Sequence, residues 1–139
     1  MRVRSYMASP GPAVQGRRLS LLARRVLAGE GGALDVKIIF ADDELVRHLN
    51  RRYRRLDRTT DVLSFNVPGV SGVVPDGGEI YLSVPQAKRQ AQRYRHSLHL
   101  ELARLVVHGV LHLVGHDHKK LNEARRMRAR ERHYLGRLR

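Results

Sequence analysis

The amino-acid sequence predicts a single α+β domain with about four short strands and about five helices. Three observations predict it. The chain has 139 residues, enough for one domain with a real core. Short runs rich in β-branched and apolar residues lie between Gly- and Pro-rich breakers, as strands do. Longer runs carry apolar residues every three or four positions, as helices do.

In chain order, Met1–Met7 reads as a short edge strand, and residues 1–13 as that strand plus a flexible segment. Ser9-Pro10-Gly11-Pro12 is a breaker. From Val14 to Ala28 the residues Leu19, Leu22, Ala23, Val26 and Leu27 mark one helical face, and Gly29–Gly32 ends it. Ala33–Phe40 is the next strand. Asp42 caps a helix over 43–54, with Leu45, Val46 and Leu49 inward. The run Arg51-Arg52-Tyr53-Arg54-Arg55 closes that helix, where basic residues suit the dipole. Asp57–Asp61 is a turn and Val62–Phe65 a strand. Pro68–Gly78 holds four Gly and two Pro and reads as a loop. Glu79–Ser83 is a strand, Pro85 opens a helix to about Arg95, and Ser97 caps the next one. Leu121–Leu138 makes a last helix, Arg-rich on its outer faces.

The helix after Ser97 organises the chain. Between Leu102 and Val114 the only strongly polar residues are Arg104, His108 and His112, each four apart. On a helix they form one polar line along an otherwise apolar cylinder. A helix apolar nearly all round is buried, and a buried imidazole needs a partner. His108 and His112, at i and i+4, can both reach one metal ion. Gly115 can stop the helix in the left-handed conformation, which lets the chain reverse and return His118 to the same ion. Three histidines with no fourth protein ligand describe an open, catalytic zinc site rather than a closed structural one. The spacing also equals that of zinc peptidases with the pattern H-E-x-x-H-x-x-G-x-x-H. Gly109 stands where their general-base Glu would be, which argues against that mechanism. A Gly inside a helix costs about 1 kcal/mol relative to Ala. The space beside it therefore serves either a leaving group or a close-packed neighbour.

Composition narrows the partners. The net charge is +14, from 27 basic against 13 acidic residues, so a polyanion is the natural partner, nucleic acid before a membrane surface. Aromatics are only 5%, so stacking platforms of the single-strand-binding type are not expected. With no Cys there are no disulfides and no thiolate ligands. No run approaches the roughly 18 apolar residues of a membrane span, and no N-terminal apolar run forms a signal peptide. The chain reads as cytoplasmic.

Three blocks match a known family. They are Leu49-Asn50-Arg51-Arg52-Tyr53-Arg54-Arg55-Leu56-Asp57-Arg58-Thr59-Thr60-Asp61-Val62-Leu63-Ser64-Phe65, then Gly78-Glu79-Ile80-Tyr81-Leu82-Ser83, then His96-Ser97-Leu98-His99-Leu100-Glu101-Leu102-Ala103 running into the histidine motif. Over roughly residues 34–136 the chain resembles the YbeY family of bacterial endoribonucleases that mature ribosomal RNA. The resemblance implies an α+β fold with a small mixed sheet covered by helices, the metal site lying on a buried helix and the turn after it. It implies one Zn2+ per chain on His108, His112 and His118, and an Arg54 that faces the metal cleft and contributes to activity. It implies a single-strand-specific, zinc-dependent endoribonuclease acting at the 3′ end of small-subunit ribosomal RNA and in ribosome quality control. Its partners would be RNA and the small ribosomal subunit. The chain departs from the family pattern at Thr59, often Pro, at Glu79, often Asp, at His116, often Tyr, and in a short loop after Phe65.

Other residues carry two readings each. Glu101 is either a carboxylate that orients a ligand or a first-turn acid favoured by the helix dipole. Asp117 either orients a ligand or shapes the turn. Asp61 and Ser64 are expected to hold the turn and strand. Two other functions fit the pattern, a zinc peptidase or amidase and a non-enzymatic ribosome assembly factor with structural zinc.

Overall fold

The structure, a computed structural model, describes residues 1–136. Its elements are β1 (Val3–Met7), α1 (Gly16–Gly29), β2 (Asp35–Ala41), α2 (Asp43–Arg54), β3 (Val62–Val67), β4 (Gly77–Ser83), α3 (Val84–Tyr94), α4 (Leu98–Leu113) and α5 (Leu121–Leu135). These are the four strands and five helices expected. Positions 137 and 138 of the expected last helix lie outside the described residues.

The sheet is mixed, in the order β1-β2-β4-β3. β1 and β4 both run parallel to β2, and β3 closes the other edge antiparallel to β4. The alternation of side chains gives the sheet two different faces. Val36, Ile38, Phe40, Ile80 and Leu82 point to one face and pack against α1 and α4 in the main core. Ala41, Leu63, Phe65 and Tyr81 point to the other and meet Leu45, Val46 and Leu49 of α2. α4 is the centre of the main core, with Leu102, Leu105, Val106, Val107, Val110 and Leu111 all but fully buried.

Local chemistry sets the helix ends. Asp42, Ser83 and Ser97 each accept a backbone N–H three residues on, at Leu45, Gln86 and Leu100. α3 begins at Val84 with Pro85 in its first turn, where a missing N–H costs nothing. Ser83 also donates to Asp43 at 2.6 Å and so ties α3 to α2. Thr59 donates to the same carboxylate.

Two strands run longer than expected. β3 continues to Val67, and β4 begins at Gly77 rather than Glu79. Gly77 and Gly78 both belong to the ladder, and at Gly78 α4 comes close. A Cβ on Gly78 would lie 2.5 Å from Leu113 Cδ1. Gly78 reads as a loop residue in the sequence, yet it is glycine so that the sheet can meet the helix.

Candidate metal centre

His108 and His112 lie one turn apart near the C-terminal end of α4 and are half-buried. Gly115 follows with φ +101°, the left-handed conformation expected of it. The chain reverses, and His118, exposed at the far side of the turn, returns to the other two. The ring centroids are 4.8 Å apart for His108–His112, 5.1 Å for His112–His118 and 5.7 Å for His108–His118. One nitrogen from each ring lies within 4.8 Å of the others. Three imidazoles converging in this way are a donor set suited to zinc or a similar divalent ion.

The protonation state fits that role. Burial lowers the pKa of His112, and the neighbouring His108, His118 and Arg54 lower it further. Its imidazole is therefore held neutral, as a ligand must be. His108 Nδ1 faces Glu131 Oε1 at 3.2 Å. A carboxylate only accepts, so Nδ1 donates in this contact, and the other ring nitrogen, Nε2, is the one a metal would take. Glu131 comes from α5, 23 residues from its histidine, and is not among the residues the sequence singles out. Its only sequence signal is that it is one of two acids, with Glu123, in an Arg-rich helix.

His116 takes no part in the trio. Its Nε2 is 2.8 Å from Glu30 Oε1, in a cluster with Arg130 and Tyr134. Burial alone would raise the pKa of Glu30. Hydrogen bonds from Tyr134, Arg130 and His116, with the Arg130 charge, hold it at about 2.

Arg54 lines the same cleft of about 570 Å³ as the three histidines, with Asp61, Ser64, Asn66 and Lys119 also on its walls. Its guanidinium donates to the Ser64 carbonyl across a long 3.4 Å and lies 5.8 Å from the centre of the Phe65 ring. The neighbouring Arg55 caps α2 in the left-handed conformation, φ +57°.

The remaining candidates are structural. Glu101 is fully buried and accepts from Arg104, Gln90 and His96. It touches none of the three converging histidines, so it does not orient them. Asp117 accepts from the His118 backbone N–H at 2.7 Å and shapes the turn. Asp61 accepts from Val62 N–H and Gln90. Ser64 donates to the Gly109 carbonyl, which fixes β3 against α4. A Cβ on Gly109 would lie 3.0 Å from both Ile80 and Ser64. Of the two expected uses of that space, the close-packed neighbour is the one observed.

The family model described as Endoribonuclease YbeY matches residues 14–139. The chain belongs to the YbeY family. It is 43% identical to the Endoribonuclease YbeY of Pelotomaculum thermopropionicum, over 86% of this chain and 84% of that one. It is 36% identical to that of Myxococcus xanthus, over 95% of this chain, and spans about half the length (52%) of that relative. Among solved structures it matches the solution structure of TM1509 from Thermotoga maritima. The TM-score is 0.63 at 26% identity, covering 96% of this chain and 86% of that one. The family expected from the three sequence blocks and the α+β fold are both borne out. No described helix is long and apolar enough to cross a membrane.

Proposed function

We propose that this chain is one metal-dependent hydrolase domain, an endoribonuclease that cuts single-stranded ribosomal RNA during small-subunit maturation and ribosome quality control in the cytoplasm. The observation that carries the reading is the meeting of His108, His112 and His118 in one cleft with Arg54, on a chain of net charge +14. Membership of a family named for endoribonuclease activity supports it.

The three imidazoles would hold one zinc ion, which supplies Lewis-acid polarisation of the phosphodiester. Arg54 donates to phosphate oxygens and offsets negative charge that develops on them. Lys119, exposed on the same wall, adds a point charge for the RNA backbone. Glu131 fixes the tautomer and orientation of His108. Asp61 and Asp117, which line the cleft, are both committed to backbone N–H groups.

The peptidase alternative needs a Glu at position 109, where the chain has Gly packed closely against Ile80 and Ser64. An assembly factor with structural zinc differs only by lacking turnover. The test is cleavage of single-stranded RNA by purified protein, with and without chelator, beside His112→Ala. Cleavage that chelation and His112→Ala both abolish is expected. A metal-loaded protein that binds RNA without cutting it leaves the assembly factor as the reading.

A further inference from the structure

The low aromatic content hides a local concentration. The chain has five Tyr, two Phe and no Trp. Three of these rings, Tyr53, Phe65 and Tyr81, meet edge to face beside α2. Their centroids are 5.4 Å apart for Tyr53–Phe65 and 6.0 Å for Phe65–Tyr81. Phe65 and Tyr81 pack into the small core under α2. Tyr53 is held by Phe65 yet remains 60% exposed. The Arg52 guanidinium lies 5.6 Å from the centre of its ring.

This aromatic corner is continuous with the metal cleft. Ser64 and Phe65 are neighbours on the edge strand β3, so their side chains point to opposite faces of the sheet. Ser64 faces α4 and the histidines, and Phe65 faces α2. Arg54 spans the edge between them. It lines the cleft, donates to the Ser64 carbonyl and lies over Phe65. Tyr53 precedes Arg54 on α2 and packs on Phe65, across this edge from the histidines.

We propose that Tyr53, backed by Phe65 and Arg52, is a base-stacking subsite for the unpaired nucleotide adjoining the phosphate held at Arg54. The inference rests on the endoribonuclease reading and deepens it. Charge captures RNA but does not orient a base. Stacking on an aromatic ring does, tolerates any sequence because every base has a π-face, and is strengthened by a neighbouring Arg. It also favours single strands, since a base must be unpaired to reach the ring. Exposed rings are common on protein surfaces. Tyr94 is such a ring, 56% exposed at the end of α3 with His96 beside it, and unlike Tyr53, which adjoins Arg54, it has no chain neighbour that lines the cleft.

Because the chain has no Trp, Tyr53→Trp places a lone indole at the subsite, which can be excited apart from the remaining tyrosines. Mixed with a short single-stranded RNA and read within the first turnover, its emission should be quenched to saturation. An abasic oligonucleotide of equal length and charge should leave it unchanged. Tyr53→Ala and Tyr53→Leu should each weaken RNA binding about ten-fold or more, with the salt dependence unaltered because no charge is lost. Tyr53→Phe should retain affinity, and Tyr94→Ala should behave as the unsubstituted protein. Equal quenching by the abasic strand, or equal losses for Phe and Leu, overturns the subsite. RNA cleavage with unchanged affinity in Tyr53→Ala overturns the subsite alone. A protein that neither binds nor cuts RNA overturns both it and the endoribonuclease reading.

Discussion

α4 carries a polar cluster at each end, and the two are built differently. At its N-terminal end Glu101 has no exposed surface, and Gln90, His96 and Arg104 bond both of its oxygens. Every charge there has a partner within the protein. At the C-terminal end His108, His112 and His118 turn ring nitrogens toward one another, and among them only His108 has a carboxylate within hydrogen-bond reach of its ring. The same contrast separates His116 from His118, two residues apart. His116 is committed to Glu30, while His118 joins the cleft. Saturated histidines hold the fold together, and converging ones are available to a ligand. The number of histidines does not distinguish these roles; the identity of their partners does.

Truncation at either end of α4 puts the contrast to its strongest test. Glu101→Ala strands Arg104 and His96 beside an apolar core, which costs about 3–5 kcal/mol. His112→Ala should remove the metal and cleavage while changing the stability of the chelated protein far less. Denaturant unfolding of both variants, with metal analysis alongside, reads the difference. Equal stability losses would erase it.

Arg54 tests whether the open cluster is catalytic or only a place where RNA binds. Arg54→Ala should lower turnover about 10²–10³-fold, with folding and metal content intact. Arg54→Lys should rescue only part, because an ammonium cannot reproduce a bidentate fork. Arg51→Ala and Arg55→Ala should instead reduce the salt slope of RNA binding by about one each. Equal rate losses at all three positions would leave the run as a general phosphate-binding patch.

The Glu30 cluster gives the closed design a pH signature. Its carboxyl titrates at about 2 in the fold against 4.5 as the ordinary value. A depressed carboxylate contributes stability that is complete above the ordinary value and is lost as pH falls toward the folded one. Unfolding free energy should therefore fall by about 3 kcal/mol between pH 5 and pH 2 through this group, and Glu30→Gln should flatten that part of the curve. Metal affinity moves on another scale. It should decline as pH falls and ligand imidazoles protonate, and the depressed pKa of His112 keeps that ring neutral to lower pH than an ordinary imidazole.

Much of this was legible in the residue order, for identifiable reasons. His108, His112, Gly115 and His118 lie within one helix end and one turn, so local geometry alone brings them together. Asp42 and Ser97 cap helices through their own backbone neighbourhood and are equally readable. What escaped depends on distant chain. Glu101 is seven residues from His108 on the same helix and resembles a ligand's partner, but α3 supplies Gln90 and takes its oxygens away from the site. Gly78 resembles a loop glycine until Leu113 is placed against it. The concentration of aromatics at Tyr53 depends on strand pairing, which a composition of 5% aromatics cannot express.

Glu131 is the residue where the two designs meet, and it carries the smallest predicted effect. It is an acid from the structural helix α5, placed 3.2 Å from a ring nitrogen of the open cluster. If its role is to hold the His108 tautomer, Glu131→Gln keeps the shape and an acceptor oxygen but removes the charge that makes His108 a better donor. Metal affinity should then fall about 10-fold, toward the low end of the 10–100-fold range for such partners, and Glu131→Ala should lie toward the high end. Fold stability should change little, since the side chain is not part of either core. Competition with a chelator of known affinity measures the first quantity, and thermal unfolding of the chelated protein measures the second. A large stability loss with unchanged metal affinity would move Glu131 to the saturated side of the comparison, making it a partner of α4 rather than of the metal.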